Sequence, residues 1–154
     1  MKGVYVLIIE VPKDHQYIIK ALGELLFEKG IWLYVGSAMG DGSTSLENRI
    51  RRHFRKEKRA HWHIDALLQY PTNLQAAIWA ECLDSMECEV AQSIEKIDEF
   101  VPGPRGFGAS DCTNQCTTHL FHSIKSEKVQ DLVIQAFIEL HLEPRITVDG
   151  SIMP

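Results

Sequence analysis

No stretch of this chain approaches the roughly 18 to 20 consecutive apolar residues that a membrane-crossing helix requires. Its first residues, Met1-Lys2-Gly3-Val4-Tyr5, run straight into a strand-like pattern and lack the charged, apolar and small-residue zones of a signal peptide. A soluble, cytoplasmic protein is therefore expected. Cysteine is scarce, with Cys82, Cys88, Cys112 and Cys116 the only four in 154 residues, which excludes a disulfide-stapled secreted scaffold. Internal repeats, low-complexity stretches and long linkers are also missing. With 45% hydrophobic residues the chain can fill one core and is too short for two ordinary domains, so residues 1–154 are read as a single domain.

Positive charge is also in short supply, since the net charge is −5, and this average argues against a generic nucleic-acid binder. The shortage is uneven. Residues 49–59 hold Arg49, Arg51, Arg52, Arg55, Lys56, Lys58 and Arg59 against the single acid Glu57, a local charge of +6 that leaves −11 on the rest. One sign this pure suits phosphate contacts, although a solvated helix face would also explain it.

Val4 to Val11 is β-branched and aromatic over enough length for a buried strand, and residues 31–36 read the same way up to Gly36. Residues 14–30 fit a helix by spacing and a strand and turn by Gly23 and the short Tyr17-Ile18-Ile19 run; strand is preferred. Thr44-Ser45-Leu46-Glu47 has capping-box spacing and opens a helix with Leu46, Ile50 and Phe54 inward. A short helix from Trp62 to Leu68 and a strand from Ala76 to Ala80 follow. Asp84 or Ser85 is expected to cap a helix whose stripe is Met86, Val90, Ile94 and Ile97. Beyond the Gly/Pro-rich turn at 101–108 and a polar segment at 110–119, Val129, Leu132, Val133, Ala136, Phe137 and Leu140 mark an amphipathic helix. The class is α/β (α+β), a small mixed or antiparallel sheet flanked by helices.

Gly3-Val4-Tyr5 in the first strand and Tyr34-Val35-Gly36 in a later one resemble the paired signature of the GIY-YIG nucleases. Leu46-Glu47-Asn48-Arg49-Ile50-Arg51-Arg52-His53-Phe54 resembles the helix in which that family carries its arginine. The stand-alone Uri-type branch resembles the chain further in Tyr34-Val35-Gly36-Ser37-Ala38, Arg52-His53, His61-Trp62-His63-Ile64-Asp65, Gly106-Phe107-Gly108, Ser110-Asp111-Cys112 and Thr118-His119-Leu120-Phe121. The resemblance implies about three antiparallel strands with flanking helices, and metal-dependent hydrolysis of phosphodiester bonds in nucleic acid, with DNA as the expected partner.

Such hydrolysis needs an oriented water, a Lewis acid on the phosphate, a cation for the developing charge and help for the leaving oxygen. Tyr5 and Tyr34 can orient water and phosphate, although strand tyrosines commonly serve packing alone. Arg49 shares a helix face with His53, and its planar fork can grip phosphate oxygens. His53 stands where the family often has tyrosine, and Ser37 where it often has lysine. A hard Mg²⁺ or Mn²⁺ calls for a carboxylate. Glu87, at the start of the helix that resembles the family's acidic one, shares a face with Val90, Ala91 and Ile94, whereas Glu89 points away; Glu87 is the expected metal ligand. Ser37, Arg52, Arg55, Lys56, His61 and His63 are expected to line the nucleic-acid path.

Two further patterns compete. His61-x-His63-x-Asp65 occurs as zinc ligands in some hydrolases, but Ala66 stands where those have another histidine, and a structural turn satisfying backbone groups is the plainer reading. Cys112, Cys116 and His119, with Cys88 a further candidate, form no strong finger spacing, so unpaired thiols without tightly bound zinc are expected. The rival to an enzyme is a module that kept the fold, lost the chemistry, and binds nucleic acid or protein through the basic helix.

Overall fold

The computed structural model describes residues 1–19, 22–56, 62–69, 71–109, 116–123, 125 and 127–152. Two long strands form its centre. β1 (Gly3–Val11) and β4 (Gly30–Ala38) pair antiparallel along their whole lengths, from Gly3 opposite Ala38 to Val11 opposite Gly30. β1 stops before Pro12, which has no amide hydrogen to give a ladder. On its other edge β1 pairs with β5 (Asn73–Glu81), through a register shift between Ile8 and Ile9. The short strands β6 (Val101–Pro102), β7 (Leu120–Ser123) and β8 (Arg145–Thr147) extend this into a six-stranded antiparallel sheet of order β6-β7-β4-β1-β5-β8.

Residues 14–30 are settled as strand: β2 (His15–Ile19) and β3 (Gly23–Phe27) form a separate hairpin, with Gly23 at φ +81°, a backbone conformation open to glycine at little cost. The period of two along β1 then sends side chains to two cores. Tyr5, Leu7, Ile9 and Val11 join Trp32, Tyr34 and Ala38 beneath the hairpin, α1 (Leu46–Phe54) and α2 (His63–Leu68). Val4, Val6 and Ile8 join Ile31, Leu33 and Val35 beneath α3 (Glu87–Glu95) and α4 (Val129–Glu139). Both faces are covered, which is why β1 is apolar at almost every position. Each fully buried leucine here, such as Leu33, carries about 2–5 kcal/mol against truncation to alanine.

Two helix starts differ from expectation. α1 is capped by Ser45, whose side chain accepts from the Asn48 N–H at 3.3 Å, while Thr44 lies in a 3-10 turn and donates to the Asp41 carbonyl. Glu47 takes the Met1 amino group instead of closing a capping box. α3 begins after Met86 with no side-chain cap from Asp84 or Ser85. The sheet is also wider than the three strands the resemblance implies, because three short edge segments add to it. No helix among the described residues is long and apolar enough to cross a membrane.

Candidate functional site

The antiparallel register decides where the two signature tyrosines stand. Tyr5 lies opposite Gly36 and Leu7 opposite Tyr34, so the tyrosines are diagonal neighbours on one face of the sheet. The glycines of the motifs make the room. A Cβ on Gly36 would sit 2.5 Å from the Tyr5 Cζ and hydroxyl oxygen, and one on Gly108 would sit 2.8 Å from the Tyr34 ring. Gly3 in turn lets α1 approach, since a Cβ there would meet the Ala80 carbonyl oxygen at 2.3 Å and the Leu46 side chain at 2.7 Å.

α1 presents Leu46, Ile50 and His53 to this face at helical spacing. His53 is buried and its Nε2 lies 2.8 Å from the Tyr5 hydroxyl; its ring centroid is 5.3 Å from that of Tyr5 and 6.3 Å from that of Tyr34. The substitution that raised doubt in the sequence is thus a hydrogen-bonding partner of the first signature tyrosine.

Arg49, one turn earlier on α1, donates to the Ser37 carbonyl at 2.7 Å. From the other face of the sheet, Glu87 in the first turn of α3 accepts from the Ser37 hydroxyl at 3.1 Å, and its second oxygen lies 3.1 Å from His119 Nδ1. Ser37, near the end of the strand that carries Tyr34, therefore ties a cation from one helix to a carboxylate from another. It was expected on the nucleic-acid path; its polar groups are instead engaged within the cluster. Glu89 is exposed.

The charges of this cluster reach both phenols. Burial pushes the Tyr5 pKa well above the ordinary tyrosine value, with Tyr34, Glu87 and Asp65 adding to the rise and Arg49 opposing it. Burial does the same to Tyr34, with Glu87 and Asp65 raising and Arg49 lowering. Neither phenol ionises near neutral pH, so each is an O–H donor and not a tyrosinate.

The segment after α1 corrects one expectation and narrows others. Arg52 does not reach towards a nucleic-acid path: its guanidinium grips the fully buried Asp65 through two bonds of 2.9 and 3.0 Å. Asp65 also accepts from the Trp62 N–H at 2.9 Å at the start of α2. The Trp62 ring lies against both guanidiniums, with Arg52 Cζ 4.4 Å and Arg49 Cζ 5.0 Å from its centroid. His63 accepts from the Gly108 N–H at 3.0 Å through Nδ1, and burial lowers its pKa. The side chains of Asp65 and His63 therefore satisfy backbone groups, which is the plainer of the two readings of this segment. Arg55 and Lys56 are exposed and, with His53 and Asn73, border an open cleft of about 320 Å³. His61, Lys58, Arg59, Ser110, Asp111 and Cys112 lie outside the described residues.

A family model, that of a domain of unknown function designated DUF123, matches residues 4–142. The chain belongs to the DUF123 family. No curated protein and no solved structure gives a significant match. The matched span takes in Tyr5, Tyr34, Arg49, His53 and Glu87, so the whole cluster lies within the DUF123 domain. Three contacts of this cluster escape sequence reasoning: Asp65 with Arg52, Trp62 against two guanidiniums, and His119 beside Glu87. The signals were the density of His, Trp and Asp in residues 61–65 and the Cys116/His119 pattern, neither of which says what each residue touches.

Proposed function

We propose that this DUF123 domain is a divalent-metal-dependent endonuclease of the GIY-YIG type, hydrolysing phosphodiester bonds in nucleic acid, with DNA the first substrate to test. The observation that carries the reading is the meeting of Arg49 and Glu87, from helices on opposite faces of the sheet, on the carbonyl and hydroxyl of Ser37 beside the Tyr5–Tyr34 pair.

Glu87 suits a hard cation. Its two oxygens each meet one neighbouring group, leaving lone pairs over, and its side chain is 25% exposed. Bound there, Mg²⁺ or Mn²⁺ would supply Lewis-acid polarisation of the phosphate. The chain's own groups do the rest. With His53 neutral, the Tyr5 hydroxyl donates to Nε2, and its oxygen can take a proton from the attacking water as its own proton passes to His53. This relay gives the pair basic character that an isolated phenol with a raised pKa does not have. The water oxygen bonds to phosphorus, the P–O ester bond breaks, and the departing oxygen takes a proton from solvent, to which His53 returns the one it received. Tyr34 donates a hydrogen bond to a phosphate oxygen. Arg49 keeps one N–H on Ser37 and has further donors in its fork for the charge that develops on the phosphate. Arg55 and Lys56 lead the backbone past His53 along the cleft.

The test is incubation of the purified chain with single-stranded, duplex and branched DNA and with RNA, each with Mg²⁺, with Mn²⁺ and with chelator. Metal-dependent cleavage is expected, reduced by orders of magnitude in Glu87→Gln and unaffected in Glu89→Gln. Salt-dependent binding without cleavage under every condition would leave a binding module; cleavage by Glu87→Gln at the parent rate would remove the carboxylate from its role.

A further inference from the structure

On the α3 side of the sheet, one residue along from Glu87, lies a second constellation. Cys88 is the second residue of α3, while Cys116 and His119 come from the segment that leads into β7. One ligand atom from each of the three lies within 4.8 Å of the others, and the Cys88 Sγ is 3.9 Å from His119 Nε2. A tetrahedral zinc ion with Zn–S near 2.3 Å and Zn–N near 2.0 Å would place such donors roughly 3.5 to 3.8 Å apart. The protein therefore holds the three within an adjustment of about 1 Å or less of that spacing.

We propose that Cys88, Cys116 and His119 bind a zinc ion, with His119 ligating through Nε2 and the carboxylate of Glu87 supporting it on Nδ1. Two thiolates and a neutral imidazole balance the charge of the ion, so it can sit beside the buried His119 without leaving net charge there. Soft sulfur donors with one imidazole select zinc over magnesium, which keeps this site chemically apart from the oxygen-only demand at Glu87. The independent observation is a Glu87 carboxylate oxygen 3.1 Å from His119 Nδ1. Metal-bound histidines are ordinarily oriented by a carboxylate or carbonyl on their other ring nitrogen, and here a carboxylate stands within reach of that nitrogen, where a small turn of the imidazole as Nε2 takes the ion would close the hydrogen bond. Small-hydrophobe packing, the usual role of a cysteine, would not require it; nor are Cys88 and Cys116 fully buried.

The sequence reading set zinc aside because Cys-x3-Cys-x2-His is a poor finger spacing. Here the spacing is bypassed, since Cys88 is contributed by a different element. The ion would pin the first turn of α3 to the strand edge at β7 and, by taking Nε2, would leave the His119 proton on Nδ1, the nitrogen 3.1 Å from the Glu87 carboxylate. Zinc binding does not depend on nuclease activity, and its readouts are separate from cleavage.

The full chain, purified under reducing conditions, should contain about one zinc per molecule by elemental analysis. Replacement by Co²⁺ should produce thiolate-to-cobalt charge-transfer absorption and the visible bands of tetrahedral cobalt. Cys88→Ser and Cys116→Ser should each lose the charge-transfer band in large part, while Cys82→Ser keeps it. Glu87→Ala should keep the spectrum but bind zinc about 10- to 100-fold more weakly in a chelator competition. Because a cysteine variant can fail simply by not folding, the wild-type cobalt spectrum is decisive. Absence of zinc as isolated and after reconstitution, together with an octahedral, sulfur-free cobalt spectrum, would overturn the site; undiminished zinc affinity in Glu87→Ala would remove the carboxylate from it.

Discussion

Replacing Arg52 with alanine separates structure from substrate contact in the basic helix. Asp65 is fully buried and faces the guanidinium through two bonds of 2.9 and 3.0 Å, with the Trp62 N–H on one of the same oxygens. Taking the cation away leaves a carboxylate in the interior without its counter-charge. Removing one partner of a buried pair costs about 3–5 kcal/mol. The lower end applies here, because the Arg52 side chain remains 21% exposed and the Trp62 N–H persists. At about 2–4 °C per kcal/mol for a chain of this length, the melting temperature should fall by roughly 6 to 12 °C. Thermal unfolding by circular dichroism measures this directly. The double change Arg52→Met with Asp65→Leu should recover much of the loss, since no orphaned charge remains. A melting temperature within about 2 °C of the parent for Arg52→Ala would refute the reasoning and return Arg52 to the solvent-facing role the sequence suggested.

Arg55→Glu with Lys56→Glu should weaken nucleic-acid binding and flatten its dependence on salt without a comparable change in melting temperature, measured by anisotropy titrations at several salt concentrations. Gly36→Ala places a methyl group 2.5 Å from the Tyr5 ring, so about 1–3 kcal/mol of stability should be lost along with the Tyr5–His53 hydrogen bond; an unchanged denaturant midpoint would show the ring is not where the register puts it. His63 binds a proton less readily in the folded chain than in the unfolded one, because burial lowers its pKa and Nδ1 is already accepting from Gly108. Stability should therefore decline as the pH falls from about 8 through the ordinary histidine value to the lowered one, and His63→Gln should flatten that decline in equilibrium unfolding.

Most of the central fold can be read from residue types. β1 and β4 announce themselves as long β-branched and aromatic runs, and the stripe Val129, Val133, Ala136 and Phe137 predicts α4 where it is found. What could not be read is short. β6, β7 and β8 have two to four residues each, too few for a period of two to register, and they exist because a neighbouring strand already offers an edge. The hairpin of β2 and β3 stood between two readings because its apolar residues at 17–19 and 25–27 also satisfy helical spacing; Gly23 and Gly30, both at positive φ, are what the helix could not have accommodated cheaply.

The site divides along the same line. Tyr5, Tyr34 and Arg49 are found by motif because each sits on a long regular element whose facing is set by local periodicity. Glu87 over Glu89 follows from helical phase, and the structure has Glu87 turned inward and Glu89 exposed. Ser37 and Arg52 could not be assigned that way. Each has a polar group whose partner is set by how a helix or turn from far along the chain docks: α3 brings Glu87 fifty residues away to the Ser37 hydroxyl, and α2 brings Asp65 to Arg52. A sequence shows which groups can be charged or can donate; it does not show which are already engaged. In residues 49–56 that distinction matters most. Arg49 and Arg52 both have Trp62 beside them, yet Arg52 is bound bidentately to a buried carboxylate while Arg49 donates to a backbone carbonyl, that of Ser37. Of the two, only Arg49 can give its guanidinium to a phosphate without leaving a buried carboxylate unpaired, which is why the proposed nuclease chemistry assigns the electrophilic role to it.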